Sequence, residues 1–526
     1  LDTRAGLAGL AFVGVTEDGR APVHRYSIPP QETDLRSGAA LYAAGGEKVG
    51  TLAEISIEDG WIDIKKHQAT VSLHPTAIFG IDPSPGTAVL SQALMRIGTN
   101  TAQHGLNDDG PYATAAALLT RKKPTGDALL QPGKTTLAAA LRLSRELPSG
   151  ILPIQGPPGA GKTFTGAQMI CALVAAGKKV GVTANSHKVI GHLIEEASKA
   201  ANQHNVAMAC VQKVTDVPAA PPPKGLSYET NNARAFDALS HDAQVLGGTA
   251  WLWARPEAQG IVDVLFVDEA AQMSLANVLA VSHAAPLIVM LGDPRQLEQP
   301  MRASHPEGTD VSALDHILDG AQTIALDCGL FLAETWRLHP YICQFTSELF
   351  YEGRLKSLAG LAGQTLNSKG RLRGAGLRYL PVTHTGNQNT SREEIEAIAH
   401  LVEEILSQQT TWVDRHGVEK PITLDDILIV APYNAQVFEL KRQLPHARIG
   451  TVDKFQGQEA PIVIYSMTTS SSAEAPRGME FLYGLNRLNV ATSRARCACV
   501  LVVCPALFEA DCRSPRQIQL ANALCR

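Results

Sequence analysis

Short apolar runs that end in small or polar residues recur along this chain. Ile151, Leu152 and Ile154 lead into a glycine-rich stretch. Further runs lie at 180–184, 243–246, 264–267 and 286–291. Each is short and nearly continuous, the pattern of a strand covered on both faces. Helical spacing falls between them: Ile170, Leu173 and Val174 share one face, and Gly177 reads as the stop. Over 151–297 this alternation predicts a doubly wound α/β domain. A second such domain follows. Ser391 and Glu394 read as a capping box before a helix that buries Ile395, Ile398, Val402 and Ile405. Apolar runs at 427–430, 462–465 and 498–503 supply its strands.

The first hundred residues carry a different pattern. Runs at 23–28, 39–42, 49–57 and 61–64 are broken by turns. Asp59-Gly60 is a hairpin signal, with Ile55 and Ile57 before it and Ile62 and Ile64 after it alternating with polar residues. A small β-barrel is predicted. Apolar spacing across 113–119 and 137–147 predicts helices, and 188–242 reads as helices interrupted by a Pro- and Ala-rich loop at 216–225. The division expected is 1–100 for the barrel, 101–330 for the first α/β domain with a helical insertion near 188–242, and 331–526 for the second.

Composition narrows the class. The 526 residues hold roughly three or four domains at ~150 each, and the 45% apolar content is that of soluble globular protein. No run of 18 apolar residues occurs, so no membrane span is expected. The net charge of −5 excludes a coat for non-specific nucleic-acid binding and leaves room for a local basic groove. Nine cysteines without framework spacing point to a reduced, cytoplasmic chain. Cys497 and Cys499 lie at strand period and Cys504 ends an apolar run, which favours core thiols over an iron–sulfur cluster. The chain opens Leu1-Asp2-Thr3-Arg4-Ala5-Gly6-Leu7, with neither Met nor a secretory leader, so further protein upstream is expected.

The chemistry starts at Gly156-Pro157-Pro158-Gly159-Ala160-Gly161-Lys162-Thr163, a phosphate-binding loop between a buried strand and a helix. Its glycines let backbone N–H groups curl around phosphate oxygens, and the helix N-terminus adds positive potential. Lys162 suits the β and γ phosphates, and Thr163 suits magnesium. Val267-Asp268-Glu269 ends a strand in two carboxylates, one for magnesium and one for water. Two look-alikes are set aside. Pro132-Gly133-Lys134-Thr135 has Ala at 128 and no buried strand before it, and reads as a helix start. Asp63-Ile64-Lys65 lies on a hairpin without a partner set of carboxylates, so no nuclease site is read there.

Six motifs in order then resemble superfamily 1 helicases, in the branch of the nonsense-mediated-decay helicase and the Okazaki-fragment nuclease-helicase. They are G-P-P-G-A-G-K-T at 156–163, V-D-E-A-A at 267–271, G-D-P-R-Q-L at 292–297, T-W-R-L-H-P at 335–340, T-V-D-K-F-Q-G-Q-E at 451–459 and N-V-A-T-S-R-A at 489–495. Pro29-Pro30-Gln31-Glu32 and Ala184-Asn185-Ser186-His187-Lys188 bring the chain nearer to bacterial proteins in which such a helicase follows a RecB-like nuclease domain; that domain is expected outside this chain.

The resemblance implies two tandem RecA-like domains with a β-barrel accessory subdomain, and ATP with Mg²⁺ in a single cleft. It implies catalytic roles for Lys162, Glu269 and Gln296, with Arg337 and Arg494 as the second domain's arginine fingers and Arg496 as a weaker candidate. Nucleotide contacts fall on 156–163, Phe164, Trp336, Gly457 and Glu459, and the metal on Thr163 and Asp268. Ser186, His187, Thr249, Pro432 and Thr451 match positions that touch the nucleic-acid backbone in relatives. Trp251 and Trp253 are read as core packing for at least one of them. One departure stands out: relatives place a Gln about seventeen residues before the loop to read adenine, and Ala138-Ala139-Ala140 occupy that neighbourhood here, with Gln131 further upstream. Strict ATP preference is therefore not implied. The activity implied is an ATP-driven helicase moving 5′→3′ on single-stranded or tailed duplex DNA, in repair or replication. An RNA or ribonucleoprotein remodeller and a non-catalytic binding module are the alternatives.

Overall fold

A computed structural model describes every residue except 1–5, 32, 82–85, 107–108, 126–127, 300–307 and 456. Leu1 to Ala5 of the opening segment, Glu32 of the Pro-Pro-Gln-Glu run and Gln456 of the fifth motif lie outside the described residues. The chain packs as two compact units. One comprises Leu1–Pro85, Leu338–Ile342 and Ala359–Arg526; the other comprises Gly86–Arg337 and Cys343–Leu358. No helix of the described residues is long and apolar enough to cross a membrane.

The unit that carries the phosphate-loop sequence is built on eight parallel strands. Their order is Leu226–Glu229, Cys210–Lys213, Val245–Gly247, Val180–Thr183, Val264–Val267, Leu287–Gly292, Gly150–Gln155 and Leu330–Phe331. The central strands are buried at every residue, as continuous Val/Ile/Leu runs require when helices cover both faces. Helix Lys162–Ala175 packs Ile170, Leu173 and Val174 into the core, and Gly177 follows at φ +76°. Thr135 caps helix Thr136–Glu146 by accepting from the Ala138 N–H, so the second Gly-Lys-Thr stretch is a helix start.

Region 188–242 departs from the helical reading. It holds helices His187–Gln203 and Asn232–His241, and also two parallel strands, Cys210–Lys213 and Leu226–Glu229. Leu226–Glu229 is the edge strand and Cys210–Lys213 lies next to it; both are four residues long and mix polar with apolar residues, so periodicity does not reveal them. Helix Ala88–His104 likewise begins inside the stretch read as barrel.

In the other unit, five parallel strands run Gly376–Pro381, Ala495–Val503, Ala460–Ser466, Ile427–Ala431 and Arg448–Thr451. Buried Cys497 and Cys499 lie in strand Ala495–Val503, and burial pushes both thiols up to about 12. The N-terminal accessory region is a seven-stranded antiparallel sheet around a core that includes Tyr26, Leu41, Leu52, Ile62 and Ile64. Strands Gly6–Ala8, Ala11–Glu17 and Ala77–Ile81 complete it beyond those read from sequence. Gln31 clasps the first of them, accepting from the Ala8 N–H and donating to the Ala8 carbonyl. Asp63 is held by Arg25 through two hydrogen bonds, which accounts for it without a metal.

Burial lowers the pKa of His24 in this sheet, with Lys66 and stacked His74 adding to the effect and the Phe12 ring packed against it. The folded His24 therefore resists a proton that the unfolded chain accepts. Stability contributed here is present above the ordinary histidine pKa of about 6.5 and is lost as pH falls below it. Denaturant midpoints of the sheet at pH 7.5 and 5.5 should fall with acid, and His24→Gln should reduce that fall; an unchanged pH dependence in the variant contradicts this.

The capping box at Ser391 is only half formed. Ser391 Oγ accepts from the Glu394 N–H, whereas the Ser391 N–H donates to Gln436. The Glu394 carboxylate turns inward instead. It accepts from Ser466 Oγ at 2.5 Å and the Thr468 N–H at 2.9 Å, and it lies 3.2 Å from His384 Nε2. The Ser470 hydroxyl accepts from the Asn387 N–H and faces His384 Nδ1 at 2.7 Å, completing a buried hydrogen-bond network. Glu394→Ala strands several buried donors, and a loss of about 3–5 kcal/mol is expected in chemical denaturation of the unit. A loss below about 0.5 kcal/mol, the size of a bland surface change, rules the network out as a source of stability.

Candidate nucleotide and nucleic-acid site

The eight-stranded sheet explains why scattered motifs belong together. Its strands are parallel, so their C-terminal ends share one edge, where open α/β sheets bind ligands. Across adjacent strands that edge presents Thr249, then Ser186 and His187, then Asp268 and Glu269, then Asp293 and Gln296, and then the loop from Gly156.

The loop is shaped by close backbone approach. The Gly156 N–H donates to the Gly292 carbonyl, which ties the loop to the neighbouring strand. A Cβ on Gly156 would lie 2.2 Å from Lys162 Cγ. Gly159 and Gly161 have φ of +70° and +82°. Pro157, Pro158 and Ala160 are buried, whereas Lys162 and Thr163 are half-buried and Phe164 is exposed. Lys162 Nζ donates to the Gly156 carbonyl at 2.6 Å, arching over the loop.

Segment 330–337 belongs to this loop. Leu330–Phe331 pairs in parallel with the strand before the loop. Thr335 Oγ1 then donates to the Pro158 carbonyl, and the Trp336 N–H donates to the Gly159 carbonyl. Arg337 was expected in the second domain; these bonds and the packing set it in the same unit as the loop. A Cβ on Gly159 would lie 2.6 Å from Arg337 Cβ and 2.7 Å from Thr335 Oγ1, at a φ that already disfavours side chains. Gly159→Ala should therefore lower nucleotide binding at least about tenfold, the equivalent of 1.4 kcal/mol of strain. Titration with a fluorescent ATP analogue checks this, and wild-type affinity contradicts it.

Asp268 is buried and accepts from the Glu269 N–H at 2.9 Å. Burial and the Glu269 carboxylate push its pKa well above the usual carboxylate range, opposed by the Glu269 N–H and Lys162. A divalent cation held with the Thr163 hydroxyl would favour the ionised form, so the donor set fits Mg²⁺, a hard ion that keeps few protein ligands and takes the rest from phosphate and water. Glu269 is half-exposed and has φ +51°, a left-handed turn that aims it differently from Asp268.

Gln296 Nε2 donates to Asp293 Oδ2 at 2.7 Å, and the Tyr351 hydroxyl donates to the same oxygen at 2.6 Å. Asp293 and Tyr351 therefore orient Gln296. Asp293 stood inside a quoted motif without a role, and Tyr351 carries no sequence signal. Ser186 caps helix His187–Gln203, and His187 Nε2 lies 3.3 Å from Thr215 Oγ1. Trp253 is fully buried, with its indole N–H on the Val182 carbonyl, whereas the partly exposed Trp251 donates to the Gly86 carbonyl. Ala139 and Ala140 are core residues, so this part of helix Thr136–Glu146 offers no polar group to a base. Trp336 and Phe164 are the exposed aromatics flanking the loop.

The other unit distributes its candidates over two edges of its sheet. Thr451 ends strand Arg448–Thr451 and Pro432 follows strand Ile427–Ala431, both at C-terminal ends. Pro432 is buried, so its ring is not available to a strand. Glu459 and Arg494 precede strands Ala460–Ser466 and Ala495–Val503 at the opposite edge. Glu459 is ion-paired with Arg496, and Arg494 Nη1 donates to the Gln458 carbonyl. Gly457 is exposed at φ +81°. Among the described residues no cluster of three or more His, Cys, Asp or Glu could hold a metal.

Two family models, each described as an AAA domain, match residues 134–317 and 312–506. Helicase sen1 of Schizosaccharomyces pombe is 27% identical over 257 residues, 45% of this chain and 14% of that protein. A putative helicase of Danio rerio, mov-10-B.2, is 26% identical over 294 residues, 47% of this chain and 28% of its own. DNA-binding protein SMUBP-2 of Mesocricetus auratus is 25% identical over 424 residues, 67% of this chain and 40% of that protein. The chain thus spans less than half the length of these relatives. Among solved structures, an Arterivirus nonstructural protein 10 (helicase) with DNA aligns over 93% of this chain and 77% of its own, at 13% identity and a TM-score of 0.43.

Proposed function

We propose that this chain, a helicase-family P-loop ATPase of superfamily 1, uses ATP hydrolysis to move 5′→3′ along single-stranded DNA and to unwind tailed duplexes. The observation that supports this reading best is the single sheet edge described above. The phosphate loop, Asp268, Glu269 and Gln296 stand on adjacent strand ends, and Ser186, His187 and Thr249 follow on the next two. Neighbouring strand ends on one edge bring the residues read as nucleotide contacts next to those read as gripping the strand, the adjacency that coupling in this reading requires.

In this reading the loop amides and Lys162 hold the β and γ phosphates. Thr163 and Asp268 hold Mg²⁺, which when bound neutralises phosphate charge. Glu269 orients the attacking water, and Gln296, steadied by Asp293 and Tyr351, follows the γ-phosphate. Arg337 and Arg494 stabilise charge as the γ-phosphoryl leaves. Phe164 and Trp336 receive the base by stacking, and the motif resemblance assigns nucleotide contacts to Gly457 and Glu459; with no side chain to read adenine near 138–140, other nucleoside triphosphates should also be accepted. Thr451 and the backbone at Pro432 join Ser186, His187 and Thr249 in gripping phosphates without reading sequence. Direction, a role in DNA repair and a RecB-like nuclease domain outside this chain rest on resemblance alone.

The test compares unwinding of matched 5′-tailed and 3′-tailed DNA and RNA duplexes with Mg²⁺ and ATP. Unwinding of the 5′-tailed DNA is expected. Preference for 3′ tails reverses the direction, preference for RNA makes the chain an RNA remodeller, and no activity on any substrate removes the proposal.

A further inference from the structure

The hairpin of the accessory sheet meets the second α/β sheet in a way that packing alone does not explain. Its turn, Glu58-Asp59-Gly60, rests on helix Asn434–Gln443 and on the fifth motif. Gly60 fits closely: a Cβ there would lie 2.4 Å from Phe438 Cε2. Around it the contact is ionic. Lys441 Nζ lies 2.6 Å from Asp59 and 3.2 Å from Glu58, and Lys454 also pairs with Glu58. Asp59 and Lys454 are about half exposed. Beside these pairs lies a cavity of about 620 Å³ whose wall also carries Arg442 and Arg448. Glu58 and Lys441 are mostly covered, but Asp59 and Lys454 reach solvent, so salt screens this contact at its outer side.

Parting it would free Lys441 and Lys454, next to Arg442, which pairs with Glu439, and Arg448, which donates to the Asp425 carbonyl and Gln458; Arg448 opens the strand that ends at Thr451, the residue read as a strand contact. We infer that Lys441 and Lys454, with Arg442 and Arg448, form a further phosphate site for the nucleic-acid strand, and that the carboxylates of Glu58 and Asp59 occupy it as phosphate mimics until the strand displaces them. This rests on the proposed strand-binding function. Lys454 belongs to the segment that also carries Glu459, so exchanging hairpin carboxylates for strand phosphates would act on the segment read as touching both strand and nucleotide.

The experiment measures single-stranded DNA affinity by fluorescence anisotropy over a salt series for the full chain. The variants are Glu58→Gln/Asp59→Asn, Lys441→Gln/Lys454→Gln and the combined quadruple, each checked by thermal unfolding. Neutralising the hairpin should tighten binding about three- to tenfold at low salt and steepen the slope of log affinity against log salt by about 1.4, the value for two added phosphate contacts on a single strand. The gain should vanish in the quadruple variant. Asp59→Asn alone should show the same sign at smaller size, which keeps the test open should the double variant fold poorly. Unchanged or weaker binding by folded hairpin variants overturns this inference while leaving the proposed function intact, as does a gain that survives loss of the lysines. No strand binding by the wild-type chain overturns both.

Discussion

Lys162→Ala should reduce strand-stimulated ATP hydrolysis about 10³-fold while leaving the fold intact. The side chain is half-buried and arches over the loop to the Gly156 carbonyl, so its charge lies where the phosphates of a bound nucleotide would be. Removing it leaves the backbone amides, the helix N-terminus and the glycine conformations unchanged. Nucleotide binding should therefore weaken less than turnover falls, because the charge that matters most develops as the γ-phosphoryl departs. Steady-state kinetics with a thermal unfolding control tests this. Hydrolysis within about tenfold of wild type, a loss smaller than one oxyanion-type donor supplies, means the loop is not the catalytic phosphate site.

Arg494→Ala should cost about 10³–10⁵ in turnover, the range for an arginine finger. Arg494 stands at the start of strand Ala495–Val503, nearly buried, with Nη1 on the Gln458 carbonyl and the paired Glu459 and Arg496 close in sequence. Because it is buried, alanine substitution also threatens stability. Arg494→Lys separates the two effects: it keeps a cation and most of the volume but loses the planar fork. Single-turnover hydrolysis by folded protein should fall in both variants, with nucleotide affinity nearly unchanged. If both lose stability while the folded fraction hydrolyses normally, Arg494 is structural and the finger role fails.

Much of the fold was legible because parallel strands buried on both faces write themselves as apolar runs. The strands at 150–155, 180–183, 264–267 and 287–292 are of this kind. Cys210–Lys213 is buried at its first three residues but carries Gln212 and Lys213, and the edge strand Leu226–Glu229 buries only Leu226, so neither leaves an apolar run. Motif residues on strand ends were legible because glycine, carboxylate and lysine are demanded there by chemistry. Their supports were not: Tyr351 reaches Asp293 from 58 residues away, and no local pattern announces that. Arg337 shows a related limit. Its motif was visible, but its company depended on Leu330–Phe331 joining the first sheet, and a two-residue strand has no periodicity to read. Glu394 was misread for the opposite reason, since a strong local signature lost to a long-range network with Ser466 and His384.

The central claim is that nucleotide hydrolysis and strand binding are coupled through one molecule. The most direct test is the steady-state rate of ATP hydrolysis by the wild-type chain with Mg²⁺, measured with and without saturating single-stranded DNA. A strand-dependent increase of at least about fivefold, the lower end of typical coupling between sites, is predicted. The same rate with and without the strand, at concentrations where anisotropy shows the strand bound, would contradict the account.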